Sequence, residues 1–132
     1  EELQASSARH PADITRKTAV DAHGRFLAHA SDVVYDGGAY AGGKPGPNLL
    51  PGPVGYATIG YQVPHVRLAV SAFYTNTIPS AHVRAPADVQ LCFAWEQHVD
   101  LIAQAPGADP VELRLLNVIR DGQPAVATIV RR

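Results

Sequence analysis

The chain has 132 residues, of which 46% are hydrophobic and 17% are charged, so it matches a single globular domain rather than a disordered chain. Its formal net charge at pH 7 is -1, which argues against a nucleic-acid binder, because neutralising phosphates requires a basic face. No stretch approaches the roughly 18–20 apolar residues that cross a membrane, so we expect no membrane span. The single cysteine, Cys92, excludes an internal disulfide and a cysteine metal site.

The start of the sequence is also informative. The chain contains no methionine, and residues 1–4 lack the basic region followed by an apolar one that opens a secretory signal. We therefore expect residues 1–132 to be a single segment of a longer polypeptide.

The first predicted element is a β-hairpin over residues 14–35. Residues 14–20 and 25–35 form its arms, and the turn between them ends in Gly24, a residue that tolerates positive φ. The second arm alternates, and one of its faces carries the small side chains of Ala28 and Ala30. We expect another element to pack closely against that face.

A glycine- and proline-rich stretch at 37–60 follows and is predicted to be a long irregular loop, because these residues interrupt regular structure. Long irregular loops inside compact domains are usually functional or covered by another part of the protein, although a plain linker is the alternative. Residues 65–76 then alternate between apolar and other side chains, with Pro64 before them, and are predicted to form a strand.

The first predicted helix covers residues 86–105. Pro86 suits the first turn of a helix, and Asp88 near the N-terminus complements the helix dipole. Apolar residues at helical spacing predict the buried side of this helix. They are Val89, Cys92, Phe93, Val99, Ile102 and Ala103.

The second predicted helix covers residues 109–119. Asp109, Pro110 and Glu112 make a start that resembles a capping box. The apolar tail 123–132 either adds a strand or stays irregular. The predicted fold class is therefore α+β, with antiparallel strands and a long Gly/Pro loop followed by two C-terminal helices.

Few side chains have the spacing of a known reactive site. The six histidines share no metal-ligand spacing with one another, so no metal residue is predicted. Cys92 on the apolar stripe is interpreted as a small hydrophobe rather than a nucleophile. Glu96 also falls on that stripe, which favours a structural carboxylate bonded to loop amides or to an arginine over a proton-transfer group.

Arg84 is the candidate for binding. It lies in a polar segment that runs into the predicted helix N-terminus, where free N–H groups can bind an anion or an oxo group. A cation at this end opposes the helix dipole, so a negative partner nearby is a natural expectation. The alternative is an exposed loop arginine without a ligand.

A set of short motifs runs through the chain in a fixed order. Upstream they include 36–40 (DGGAY) and 61–64 (YQVP). Downstream the matching residues are Thr75-Asn76, Pro79, Arg84-Ala85-Pro86, Gln90, Phe93-Ala94, Glu96, Asp100, Ile102-Ala103, Gly107, Asp109-Pro110, Glu112-Leu113-Arg114 and Asn117. As a set they resemble the molybdenum-binding large subunit of the molybdenum hydroxylases, the relatives of xanthine dehydrogenase, aldehyde oxidase and carbon monoxide dehydrogenase.

The resemblance implies a role for two residues. Arg84 matches the arginine of the family that contacts the molybdopterin cofactor, and Pro86 takes the substrate-adjacent position, which is aromatic in purine-oxidising members. Ala85 replaces the cysteine of the carbon monoxide enzymes, which argues against a copper–molybdenum centre. Ala87 replaces a family glycine. No catalytic residue is assigned, because the catalytic glutamate of the family lies outside this stretch.

The resemblance also implies a function. The chain would be a fragment of a molybdopterin-dependent oxidoreductase that hydroxylates an aldehyde or an N-heterocycle with water as the oxygen source. Iron–sulfur and FAD groups on partner subunits or domains would receive the electrons, and the rest of the large subunit would complete the site. We expect the segment alone to be inactive and the protein to be cytoplasmic, with the periplasm as the alternative.

Two other interpretations remain open at this point. One is a small non-catalytic interaction or assembly module that shares the fold, with the loop 37–60 as its contact surface. The other is an unrelated α+β binding domain, in which the order of the motifs is coincidental. Molybdenum and pterin content of the native protein distinguishes the first of these from the enzyme.

Overall fold

The computed structural model describes residues 6–42 and 58–123, together with the backbone of 126–131. Within these described residues, four strands and two helices follow one another. They are β1 (Ala12–Val20), β2 (Phe26–Asp36), β3 (Val63–Phe73), α1 (Asp88–Gln104), α2 (Pro110–Asn117) and β4 (Val126–Arg131). The α+β fold class is confirmed, and the tail adds a strand. Residues 43–57 of the predicted loop lie outside the described residues.

The strands form one mixed sheet in the order β1-β2-β3-β4. β1 and β2 pair antiparallel as the predicted hairpin, with Ile14 opposite Val33. The expectation of antiparallel strands fails beyond the hairpin, because β3 runs parallel to β2 and β4 runs parallel to β3. The physical reason is the long connection 37–62, since parallel neighbours need a crossover of about a dozen residues or more.

Helix α1 covers one face of the sheet. Its fully buried residues, Leu91, Trp95, Val99 and Ala103, recur every fourth position. The predicted buried side of this helix is therefore only partly correct. Val99 and Ala103 are buried, and Ile102 packs against the core. Val89 and Phe93, in contrast, are 48% and 69% exposed. Apolar residues occupy two sides of this helix, and burial of the largest of them, Trp95, selects the side that meets the sheet.

Helix α1 begins two residues later than predicted. Pro86 lies before the helix rather than in its first turn, because Ala87 has a φ of 67° and cannot continue a right-handed helix through Pro86. Asp88 is the acidic residue of the first turn, as expected from the helix dipole. No described helix is long and apolar enough to span a bilayer.

Helix α2 has the predicted cap. The Asp109 carboxylate accepts hydrogen bonds from the N–H groups of Val111 and Glu112, at 2.7 and 3.0 Å. The helix ends at Asn117, two residues earlier than predicted, because Val118 is extended and forms a bridge with Tyr61.

The Asn117 side chain joins the end of α2 to the beginning of β2. Its Oδ1 accepts from the Phe26 N–H at 2.8 Å, and its Nδ2 donates to the Gly24 and Leu113 carbonyls, each at 2.9 Å. Gly24 has a φ of 83°, which a side chain would disfavour. The amide of one buried side chain therefore fixes both the hairpin turn and the helix.

The other face of the sheet carries the small side chains noted in the sequence. Ala28 and Ala30 line a hollow of about 510 Å³ on this face, together with Lys17, His65 and Arg67. None of the described helices packs over it, so the close packing expected against these alanines is not provided within the described part of the chain. Arg67 bonds Asp32 here through both carboxylate oxygens, at 3.0 and 2.7 Å.

A polar network lies between the hairpin and α1. Arg16 Nη1 is 3.1 Å from His29 Nε2, and Thr18 Oγ1 is 2.9 Å from His29 Nδ1 and 3.0 Å from His98 Nε2. Arginine can only donate, so His29 Nε2 accepts, its Nδ1–H donates to Thr18, and the hydroxyl donates to His98. Burial, with the Arg16 charge second, lowers the pKa of His29 to about 3 and lowers the pKa of His98.

This network predicts loss of stability in mild acid. Because the folded pKa of His29 lies below the unfolded value of about 6.5, the folded state binds fewer protons, and stability is full above pH 6.5 and falls towards pH 3. We expect the free energy of unfolding in urea to drop by about 2 kcal/mol from His29 alone between pH 6.5 and 5.

The control for this pH dependence is His65, which is exposed on the open face of the sheet. His65→Gln should leave the slope of the unfolding free energy against pH unchanged, and His29→Gln should make that slope shallower. Equal slopes in the two variants would contradict the assignment to the buried network.

The Asn117 junction predicts a second stability effect. Asn117→Ala leaves the Phe26 N–H and the Gly24 carbonyl without their partner, which should lower the free energy of unfolding by roughly 2–4 kcal/mol. The midpoint of urea unfolding measures the loss. Leu115→Ala is the matched control on the same helix, since Leu115 is 54% exposed, and an equal effect of the two substitutions would refute the role of the amide.

Candidate functional site

Asp36, the last residue of β2, holds the segment that precedes Arg84. Its carboxylate accepts from the Gly38 N–H at 2.8 Å and from the hydroxyls of Thr75 and Thr77 at 2.5 and 3.2 Å. The two charge-assisted bonds from Thr75 and Thr77 fasten the residues after β3 to the end of β2, and the bond from Gly38 orders the chain that leaves β2.

Gly38 permits the close approach of the two segments. Its φ is 74°, and a Cβ at this position would lie 2.5 Å from the Ile78 carbonyl oxygen and from Pro79 Cα. Only glycine fits between these backbones without displacing one of them. Ser80 completes the junction, since its N–H and hydroxyl donate to the carbonyls of Gly37 and Asp36 at 3.2 and 3.0 Å.

Residues 84–87, which we call the Arg84 turn, connect the segment that follows β3 to helix α1. Ala85 and Ala87 have φ values of 59° and 67°, and no other described non-glycine residue has a positive φ. Each such alanine costs roughly 1–2 kcal/mol relative to ordinary backbone. A strained conformation of this kind persists only where surrounding contacts impose it, and such conformations cluster at functional sites.

Side chains from distant parts of the chain bind the carbonyls of the Arg84 turn. Arg9 Nη2 donates to the Arg84 carbonyl and Nη1 to the Ala85 carbonyl, each at 2.8 Å. The Tyr35 hydroxyl donates to the Ala87 carbonyl at 3.2 Å. Burial, reinforced by the Asp88 charge, raises the pKa of Tyr35 to about 12, so this donor keeps its proton at neutral pH.

The Arg84 side chain itself is exposed, and no described residue accepts a hydrogen bond from it. It stands four residues before α1, whose N-cap residue, Ala87, supplies no side-chain cap. An unpaired guanidinium beside an uncapped helix N-terminus suits anionic and oxo groups, which a molybdopterin cofactor would present. Asp88 in the first turn is the one acidic group of the helix start, and burial raises the pKa of its carboxyl.

The structure brings the two residues implied by the resemblance into one turn. Pro86 is half-buried and lies between the two strained alanines, two positions after Arg84. The resemblance implies a glycine at the position of Ala87, and the positive φ of Ala87 is the conformation that glycine adopts without cost. The turn therefore keeps a glycine-like backbone although the side chain has changed.

Glu96 is structural, as interpreted from the sequence. Its Oε2 accepts from Arg114 Nε at 2.9 Å, and the Tyr61 hydroxyl donates to both carboxylate oxygens at 3.1 and 3.2 Å. Burial and the Glu96 charge raise the pKa of Tyr61 to about 12. Although burial lowers the pKa of Arg114, its hydrogen bonds with Asp100 and Glu96 raise it overall. This cluster joins α1 to α2.

The remaining candidates from the sequence are Cys92 and the histidines. Cys92 is only partly buried, and burial raises the pKa of its thiol, which disfavours the nucleophilic thiolate at neutral pH. Within residues 6–42 and 58–123, no group of three or more histidine, cysteine or acidic side chains could hold a metal ion. The sequence analysis missed Arg9 and Tyr35, since no local pattern indicates a contact with a turn that lies 52 to 76 positions away.

Comparison with known proteins gives this geometry a family. The family model described as the molybdopterin cofactor-binding domain matches residues 1–118. A probable xanthine dehydrogenase subunit of Bacillus subtilis is 36% identical over 118 residues, which are 89% of this chain and 16% of that protein. The nicotinate dehydrogenase large molybdopterin subunit of Eubacterium barkeri is 32% identical over 122 residues, 92% of this chain and 28% of that protein.

Solved structures give the same result. The aldehyde oxidoreductase from Desulfovibrio gigas superposes with a TM-score of 0.80 and 32% identity, over 92% of this chain and 13% of that one. A Cu,Mo-CO dehydrogenase superposes with a TM-score of 0.75 and 27% identity, over 89% of this chain and 15% of that one. The chain thus spans between an eighth and somewhat more than a quarter of the length of these four proteins. In agreement with the resemblance in its motifs, the chain belongs to the molybdopterin cofactor-binding domain family of the molybdenum hydroxylases.

Proposed function

We propose that this chain supplies the Arg84 turn to the cofactor site of a molybdopterin-dependent oxidoreductase. The observation that carries the proposal is the exposed Arg84 guanidinium, which has no described partner, on a strained turn at the uncapped start of α1. A cation on a fixed turn attracts an anionic cofactor without the entropic cost of ordering a mobile loop.

The bound molybdopterin would supply the molybdenum centre at which a substrate is hydroxylated with water as the oxygen source. The chain's own residues bind and orient. Arg84 offsets negative charge on the cofactor, and Pro86 presents a rigid apolar ring beside the substrate. Asp36 keeps the approach to the turn in place through its hydrogen bonds with Thr75 and Thr77.

The proposed substrates are an aldehyde or an N-heterocycle. The names of the relatives support both, since they include a nicotinate dehydrogenase and an aldehyde oxidoreductase. Pro86 supports small or non-aromatic substrates over stacked purines, because proline offers no aromatic face on which a purine could stack. Ala85 supports a site without copper, because alanine provides no ligand for that metal.

The whole enzyme would need further groups. A dehydrogenase must pass its electrons on, so we propose iron–sulfur and FAD groups on partner subunits or domains as acceptors, and the rest of the large subunit as the source of the catalytic base. The proposed compartment is the cytoplasm, because a lone, partly buried thiol is compatible with reducing conditions, and the periplasm is the alternative.

Arg84→Ala tests the role of the guanidinium in the full-length protein that carries this segment. The substitution removes a hydrogen bond from a charged donor, which contributes about 1.5–3 kcal/mol, so cofactor binding should weaken roughly 10- to 100-fold. The thermal stability of the cofactor-free form should stay the same. Bound molybdenum, measured by elemental analysis, and released pterin, measured by fluorescence, report the loss. Arg84→Lys should retain more of both.

Arg67→Ala is the matched control, because Arg67 binds Asp32 on the open face of the sheet. It should keep full cofactor content. Normal molybdenum and pterin in Arg84→Ala would refute the proposed contact. Absence of both from the wild-type protein would instead favour the non-catalytic interaction module.

A further inference from the structure

The two left-handed alanines of the Arg84 turn need an explanation within the fold. An alanine Cβ disfavours the φ values of 59° and 67° that Ala85 and Ala87 adopt, and glycine would adopt them freely. The turn is therefore not the conformation that its own sequence prefers. Contacts from outside the turn must hold it.

Arg9 makes the contacts with the right geometry. Its two terminal nitrogens reach the adjacent carbonyls of Arg84 and Ala85 at the same distance, 2.8 Å, so one planar guanidinium spans two successive peptides. A lysine ammonium has no such fork. Tyr35 binds the last carbonyl of the turn, that of Ala87, so the strained residues are held from both ends.

Arg9 is itself held in place by its neighbours in the chain. The Ala8 carbonyl accepts from the Ala81 N–H at 3.0 Å, and the His10 carbonyl accepts from Gln90 Nε2 at 2.7 Å. The His10 ring also meets the Tyr35 ring edge-on at 6.2 Å. Residues 8–10, which we call the brace, are thus held by hydrogen bonds on both sides of Arg9. The brace connects the segment before the turn, at Ala81, with the first part of α1, at Gln90.

The contacts of Arg9 also determine the direction in which the backbone N–H of Ala85 points. All described peptide bonds are trans, so the Ala85 N–H points away from the Arg84 carbonyl and hence away from Arg9. No described group accepts a hydrogen bond from this N–H. Arg9 therefore fixes the orientation of a backbone donor that has no acceptor among the described residues; this donor lies next to Arg84, on the side opposite to the brace.

We propose that Arg9 is a positioning residue of the cofactor site, which holds the Arg84 turn in its strained conformation by binding the carbonyls of Arg84 and Ala85. Its role in cofactor binding rests on the function proposed above. Its role in imposing the backbone conformation does not. The two parts can therefore fail separately.

The test uses the full-length protein with Arg9→Lys, Arg9→Ala, and each of them combined with Ala85→Gly. Amide hydrogen exchange of a peptide covering the turn and the start of α1, where the Leu91 N–H donates to the Ala87 carbonyl, reports the conformation of the turn, and released pterin reports the cofactor. Arg9→Ala should speed exchange in the turn at least tenfold and lower pterin content about tenfold, with Arg9→Lys between it and the wild type. Exchange in α2, far from the turn in sequence, should not change.

The glycine variants separate positioning from general support of the fold. Glycine at 85 removes the strain that Arg9 opposes, so Ala85→Gly should restore at least a third of the pterin lost in Arg9→Ala, with Ala85→Gly alone as the reference for the double variant. A residue that merely stabilises the fold would give independent, multiplicative effects. Arg67→Ala, which removes an arginine contact with Asp32 on the open face of the sheet, should leave exchange in the turn unchanged.

Each outcome is decisive. Unchanged exchange in the turn of both Arg9 variants, or multiplicative effects of Arg9→Ala and Ala85→Gly, would overturn the positioning role even where the protein binds its cofactor. If Arg9→Ala does not fold, Arg9→Lys carries the same test. A wild-type protein without pterin, in which Arg9→Ala still speeds exchange in the turn, would overturn the proposed function and support the positioning role.

Discussion

Burial of Trp95 against the sheet is the constraint on which the rest of the structure depends. The indole is fully buried and meets the rings of Phe26, His29 and Tyr61 at centroid distances of 5.7, 4.7 and 5.7 Å. Burying a side chain of this size contributes a few kcal/mol and leaves α1 one orientation on the sheet. That orientation brings the start of α1 over the end of β2, where the Tyr35 hydroxyl reaches the Ala87 carbonyl.

The candidate site follows from this placement. The end of β2 supplies Asp36, which fixes the segment leading from β3, and the start of α1 receives that segment through the Arg84 turn. Local preference opposes the turn, since two alanines adopt backbone angles typical of glycine. Its conformation is imposed by side chains that are distant in sequence, which is the arrangement expected where a loop must be rigid before a ligand arrives.

Features with a local cause could be predicted from the sequence. Alternation predicted the hairpin, and Asp109 predicted the start of α2, because a turn and a cap each depend on a few adjacent residues. Features set by tertiary contacts could not. Phe93 and Trp95 each lie four residues from another apolar residue of the helix, and contact with the sheet determines which of the two is buried. The motifs located Arg84, whereas the arginine that holds its turn lies 75 positions earlier.

The central claim is that the Arg84 turn contacts the cofactor. The most direct measurement is an experimental structure of the full-length native protein isolated with its cofactor. The account predicts a cofactor atom within hydrogen-bond distance, about 2.7–3.2 Å, of the Arg84 guanidinium or the Ala85 N–H, with Ala85 and Ala87 still at positive φ. A molybdopterin bound elsewhere, with water alone against the Arg84 turn, would contradict it.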